Sequence, residues 1–89
     1  DPSAGPVDRE LGLLYAEETP PRSAKARPLL QRALQAAPDD ARLHMAMVNV
    51  LWEEEDWNGA AEHYRRAVEL EPKRRSTSVE QWLEQHGVW

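Results

Sequence analysis

Cysteine is absent from this 89-residue chain, which therefore holds neither a disulfide framework nor a thiolate metal site. No apolar run approaches the roughly 20 residues that cross a bilayer, so direct membrane insertion is not expected. The chain opens on Asp1-Pro2-Ser3, with neither an initiator Met nor a basic-then-apolar leader, and is expected to be a soluble, excised or processed piece of something longer. None of these absences assigns a compartment, and cytoplasmic and periplasmic settings both stay open. No stretch alternates apolar and polar residues with period two, so no strand is expected.

The residues that usually carry catalysis are equally sparse. There is no Gly-rich phosphate loop, no HExxH, and no Ser-His-Asp or Cys-His spacing. His44, His63 and His86 offer no pair at i, i+4, and the neighbours Glu62 and His63 diverge by about 100° on a helix. They are expected to be exposed or half-buried side chains, with no metal and no cofactor. A domain this size buries only about 60 to 65% of the surface its unfolded chain exposes, which disfavours a deep enclosed active site. An enzyme is not expected.

Charge is uneven. Residues 1–38 carry five acidic and five basic side chains, residues 39–72 nine and three, and residues 73–89 two and three, for a net charge of −5. Nucleic-acid binding rests on a basic stripe that displaces counterions. Here the basic clusters are Arg65-Arg66 and Lys73-Arg74-Arg75 alone, so no nucleic acid is expected. The run Glu53-Glu54-Glu55-Asp56 lacks the alternating oxygen ligands and Gly of a calcium loop and suits a solvated turn. Glu53 and Glu54 are electrostatically misplaced there, at a helix C-terminus.

Prolines and apolar spacing divide the rest into helices. Residues 1–6 make a flexible lead-in. The first helix is expected over residues 7–18, with Val7, Leu11, Leu14, Tyr15 and Glu18 on one stripe. The second spans residues 24–37 behind a Ser23 N-cap, with Ala26, Leu29, Leu30, Ala33, Leu34 and Ala37 inward and a distorted or late first turn at Pro28. A third, capped by Asp39 or Asp40, reaches Glu54, and a fourth spans residues 57–70. The fifth, residues 78–85, opens on Ser78-x-x-Gln81 as a capping box and stops at Gly87.

Self-similarity is the strongest signal. Ala26, Arg32, Ala33 and Pro38 recur as Ala60, Arg66, Ala67 and Pro72 at an offset of 34, with Leu30 and Leu34 replaced by Tyr64 and Val68. A fixed period of that length marks stacked helical hairpins. At these residues, and at Asp56-Trp57, Leu70 and the Leu11-Gly12-x-x-Tyr15 pattern, the sequence resembles the tetratricopeptide repeat (TPR) family. Leu11-Gly12-x-x-Tyr15 lies two residues too early for a strict repeat, which predicts a two-residue insertion in the first turn. The resemblance implies an all-α superhelix of two units, residues 7–40 and 41–74, with residues 76–86 as a solvating cap. The second unit departs from the family pattern at His44 and Val48, which predicts looser or shifted packing there.

The third helix carries two stripes. Leu43, Ala46, Met47, Val50 and Leu51 make an ordinary core face. Arg42, Met45, Asn49, Trp52 and Glu53 make a second. In TPR proteins the first helices of the repeats line a concave groove, so the resemblance makes this second stripe the candidate surface for a partner protein or peptide. Trp and Arg are enriched among interface anchors, and Met adapts its shape. The alternative for Trp52 is core. The carboxylate clamp of the chaperone-binding subset finds only Arg9 and Asn49 in place, against Leu13, Ala46, Ser76 and Glu80 elsewhere. The resemblance thus implies a non-catalytic interaction module in a larger assembly. Alternatives are a spacer or self-association segment of a longer repeat protein, whose N-terminal helix face stacks on earlier repeats or pairs with a second copy as a homo-oligomer, and an accessory domain of a longer enzyme or of a membrane-anchored assembly factor.

Overall fold

Two antiparallel helical hairpins stack side by side, and a fifth helix closes one end of the stack. A computed structural model describes residues 4–89, with side chains from residue 7 onward. Its elements are α1 (Ala4–Glu17), α2 (Ser23–Ala36), α3 (Ala41–Glu53), α4 (Trp57–Leu70), a 3-10 turn (Pro72–Arg74) and α5 (Thr77–Gln85). No strand occurs among the described residues. The helix starts of α2 and α4 repeat the offset of 34, and the first hairpin turn has five residues where the second has three. That difference is the two-residue insertion that the early Leu11-Gly12 motif predicts.

The repeat has a steric cause. Ala26, Ala33, Ala60 and Ala67 are buried at matching positions of the second helices and let a neighbouring helix approach closely. Gly12 does the same for the first hairpin. A methyl group there would stand 2.9 Å from Leu30 Cδ2 and 3.3 Å from Leu29 Cβ. Large side chains fill the space between, with Leu30, Leu43, Val50, Tyr64 and Leu83 fully enclosed.

Several local expectations need correction. The expected lead-in is shorter, because α1 starts at Ala4; residues 1–3 lie outside the described residues. The expected stripe of α1 is largely exposed, with Val7, Leu11 and Leu14 at 57%, 39% and 58%, and the buried side of the helix is Gly12, Leu13 and Ala16. Ser23 is not a cap. Arg22 holds that position without a side-chain bond, and the Ser23 hydroxyl, inside the helix, donates to the Val50 carbonyl at 3.3 Å, pinning α2 to α3. Pro28 neither delays nor breaks α2. Both Pro28 and Ala24 are exposed, so the Ala24 carbonyl that loses its partner is on the solvated side. The cap of α5 is Ser76, whose hydroxyl accepts from the Val79 N–H, two residues before the expected Ser78. The two departures from the repeat pattern, His44 and Val48, are both buried, and Val48 also lines an open cleft.

Helix ends follow their capping chemistry. The Asp40 carboxylate accepts from the Arg42 and Leu43 N–H groups, and Asp56 accepts from the Gly59 N–H. Burial works against the Asp40 charge, but the Arg9 side chain at 2.8 Å and the two amides together hold its carboxyl below the usual value. Helix α5 ends in a Schellman arrangement, the Val88 and Gly87 N–H groups donating to the Leu83 and Glu84 carbonyls, with Gly87 at φ 74°. Helix α3 ends the same way, the Asp56 and Glu55 N–H groups reaching Leu51 and Trp52, but there the left-handed residue is Glu55, at φ 61°. A side chain in that region costs about 1 to 2 kcal/mol, part of which glycine's looser unfolded chain cancels. Glu55→Gly is expected to stabilise the fold by up to about 1 kcal/mol, read from the urea midpoint. An unchanged or lowered midpoint refutes the strain.

Candidate functional site

An open cleft of about 390 Å³ lies where the C-terminal ends of α1 and α3 meet the side of α5. Its apolar lining comes from Ala16, Pro21, Met45, Val48, Trp52 and Val79, and its polar lining from Glu17, Glu18, Thr19, Asn49 and Glu53. Met45, Asn49, Trp52 and Glu53 therefore share one surface. Arg42 does not: it lies a turn earlier, in a shallower depression with Arg9 and Leu14, and donates to Glu17 at 2.9 Å. The opposite wall is Glu17 at the end of α1 followed by Glu18, Thr19 and Pro21 of the longer first turn, and that turn is invisible to helical periodicity. The Arg22 N–H donates to the Tyr15 carbonyl at 2.9 Å and folds that turn back.

Trp52 serves two surfaces. One part lines the cleft, while its ring stacks on Trp82 of α5 at 3.7 Å between centroids and meets the Trp57 edge at 5.7 Å. The His86 ring stacks on Trp57 at 3.8 Å. Beneath them Leu83 is fully buried, and the Tyr64 hydroxyl accepts from the Ser76 N–H at 2.7 Å and lies 2.7 Å from Glu80. Burial, and the neighbouring Glu80 charge, raise the Tyr64 pKa, while the Arg75 and Tyr64 hydrogen bonds lower that of Glu80. The cap thus seats on α3 as well as α4.

A contact between two histidines nineteen residues apart was not legible from their spacing. His44 Nδ1 lies 2.9 Å from His63 Nδ1, and His44 Nε2 lies 2.8 Å from the Pro38 carbonyl. The carbonyl requires a proton on His44 Nε2, leaving its Nδ1 to accept from His63. Burial lowers the His63 pKa, with His44 acting in the same direction against Glu62 and Asp56. The unfolded chain, with an ordinary histidine near 6.5, binds this proton more tightly than the folded one. The contribution is therefore fully present above the unfolded pKa and declines as pH falls through about 6.5. The melting temperature is expected to drop from pH 8 to pH 5 by less in His63→Gln than in wild type. Equal drops refute the coupling.

Among the described residues no group of three or more His, Asp or Glu is placed to hold a metal ion, and no helix is long and apolar enough to cross a membrane. Compared with known proteins, residues 22–78 match the profile of the tetratricopeptide repeat family, which is most of the chain. This chain belongs to the tetratricopeptide repeat family. Neither a curated protein nor a solved structure gives a significant match. Tetratricopeptide repeats generally mediate protein–protein interactions and are typically non-catalytic. The clamp positions of this tetratricopeptide domain are engaged elsewhere: Arg9 pairs with Asp40, and Glu80 accepts from Arg75 and Tyr64. Only Asn49 reaches the cleft.

Proposed function

We propose that this chain is a non-catalytic interaction module that takes a segment of a partner protein in the cleft beside Met45, Asn49, Trp52 and Glu53, as part of a larger assembly. The observation that carries this reading is the cleft itself, concave, with an apolar floor and a few polar groups at its rim. Arg42 contributes from outside, by holding Glu17. The partner is protein rather than nucleic acid, because the cleft rim holds carboxylates where phosphates would need cations. A photo-crosslinker placed at position 49 is expected to capture one partner protein that the same group at the remote position 73 does not. Equal capture from both positions sinks the reading.

A second reading has its own observation. With the two-residue insertion counted, Val7, Leu11 and Leu14 of α1 stand at the repeat positions of Leu43, Met47 and Val50 of α3, which are 0%, 3% and 0% exposed. The α1 face thus has the composition of a covered face, and we propose a second copy as its cover. Glu10, at the position of the buried Ala46, limits the strength of that pairing. Sedimentation equilibrium is expected to show mass rising with concentration in wild type and not in Leu14→Glu. A monomer at all concentrations removes this reading.

A further inference from the structure

The structure assigns a chemical class to the occupant of this cleft: a peptide segment with one bulky apolar side chain flanked by Lys or Arg. This rests on the cleft reading above and adds to it the charge of the partner.

Three features make the rim negative. Glu17, Glu18 and Glu53 all line the cleft, and no lysine or arginine does. Helices α1 and α3 both end there, and neither has a basic residue in its last turn, so two helix C-termini add their partial negative charge to the carboxylates. The chain itself offsets these charges only in part. Glu53 makes no ion pair among the described residues, and the acidic run continues through Glu54, Glu55 and Asp56. Arg42 reaches Glu17 only through a solvent-exposed pair. Glu18 is the best offset of the three, with its Oε2 2.6 Å from Arg22 Nε.

Carboxylates are disfavoured at helix C-termini, where cations stabilise. A cation supplied by the partner corrects an arrangement that the chain itself leaves unfavourable. The floor supplies the other half of the recognition. Met45, Val48, Trp52 and Val79 present a half-open apolar surface, and methionine and indole adapt to aliphatic and aromatic side chains alike. An acidic segment meets like charge on both walls, Glu17 and Glu18 on one and Glu53 on the other, and is rejected. The polarity is the reverse of a clamp for acidic peptides.

Synthetic peptides with a central Leu, Met or Trp flanked by Lys, Ser or Glu test the inference, with fluorescence anisotropy against the full chain as readout. Lys-flanked peptides are expected to bind about tenfold more tightly than Ser-flanked ones, with Glu-flanked ones weaker still. Added salt is expected to erase most of that preference, since the screening length falls from about 8 Å at physiological ionic strength. Glu53→Gln is expected to reduce the preference, and Met45→Lys, in a chain that circular dichroism shows still folded, to abolish binding of every peptide. If Ser- and Lys-flanked peptides bind alike and Met45→Lys still abolishes both, the charge inference falls and the cleft stands. Equal binding of Lys-rich peptides lacking the apolar residue also overturns the inference. If Met45→Lys, while folded, leaves binding intact, the cleft reading falls with it.

Discussion

Tyr64→Ala is expected to cost about 3 to 5 kcal/mol of folding stability, the range for a fully enclosed aromatic. Tyr64 is the largest fully buried side chain, and it anchors three things at once. Its ring fills the space left between the small residues Ala60 and Ala67, and its hydroxyl takes the Ser76 N–H at the entry to α5. Its edge also meets Trp89 at 5.0 Å. A chain of this length has a total stability of about 4 to 13 kcal/mol, so the variant keeps little margin. Tyr64→Phe separates the contributions. The ring stays, the Ser76 N–H loses its acceptor, and the expected cost is about 1 to 2 kcal/mol. Urea unfolding of both variants checks this, and equal losses for Ala and Phe would mean that the hydroxyl, not the packing, dominates.

Trp52→Ala is the second large effect, expected at about 2 to 4 kcal/mol. It lies below the full range for a buried tryptophan because the ring is half-buried and lines a cleft. The loss reaches beyond α3, because Trp52 stacks on Trp82 and touches Trp57. Trp82→Ala removes the same stack from the other side. A double-mutant cycle between the two is expected to give a coupling of about 0.5 to 1.5 kcal/mol. A coupling near zero would detach α5 from α3. A collapsed Trp52→Ala therefore says nothing against the cleft, since the residue is structural whether or not a partner touches it. Met45 and Asn49 are the cleaner probes of binding.

The fold was legible because its main determinants are local. Proline positions, small residues at an offset of 34 and an early Leu-Gly pair specify the number of helices, their pairing and even the longer first turn. The buried side of α1 was not legible for a physical reason. That side is built from Leu13 and the small Gly12 and Ala16, whereas Val7, Leu11 and Leu14 point outward. Close helix approach selects small residues such as Gly12 and Ala16, which apolar periodicity does not pick out. The α5 cap was displaced because Ser76, Thr77 and Ser78 are all hydroxyl residues, and only backbone geometry chooses among them. At the cleft, the α3 stripe was visible as a surplus over core needs. Its facing wall, and the contact between His44 and His63, depend on which loop or helix lies opposite, and sequence periodicity does not encode that.

The indole cluster also gives the molecule a built-in optical reporter. Trp52, Trp57 and Trp82 lie within 5.7 Å of one another between ring centroids, close enough for their excited states to couple. Trp52 belongs both to this cluster and to the cleft lining. Emission from the unlabelled chain therefore registers two events through one chromophore, the entry of a side chain beside Met45 and the lifting of α5. The first changes the polarity around one ring, and the second separates a stacked pair. Wavelength and intensity should therefore move together when α5 lifts, and wavelength alone when the cleft fills.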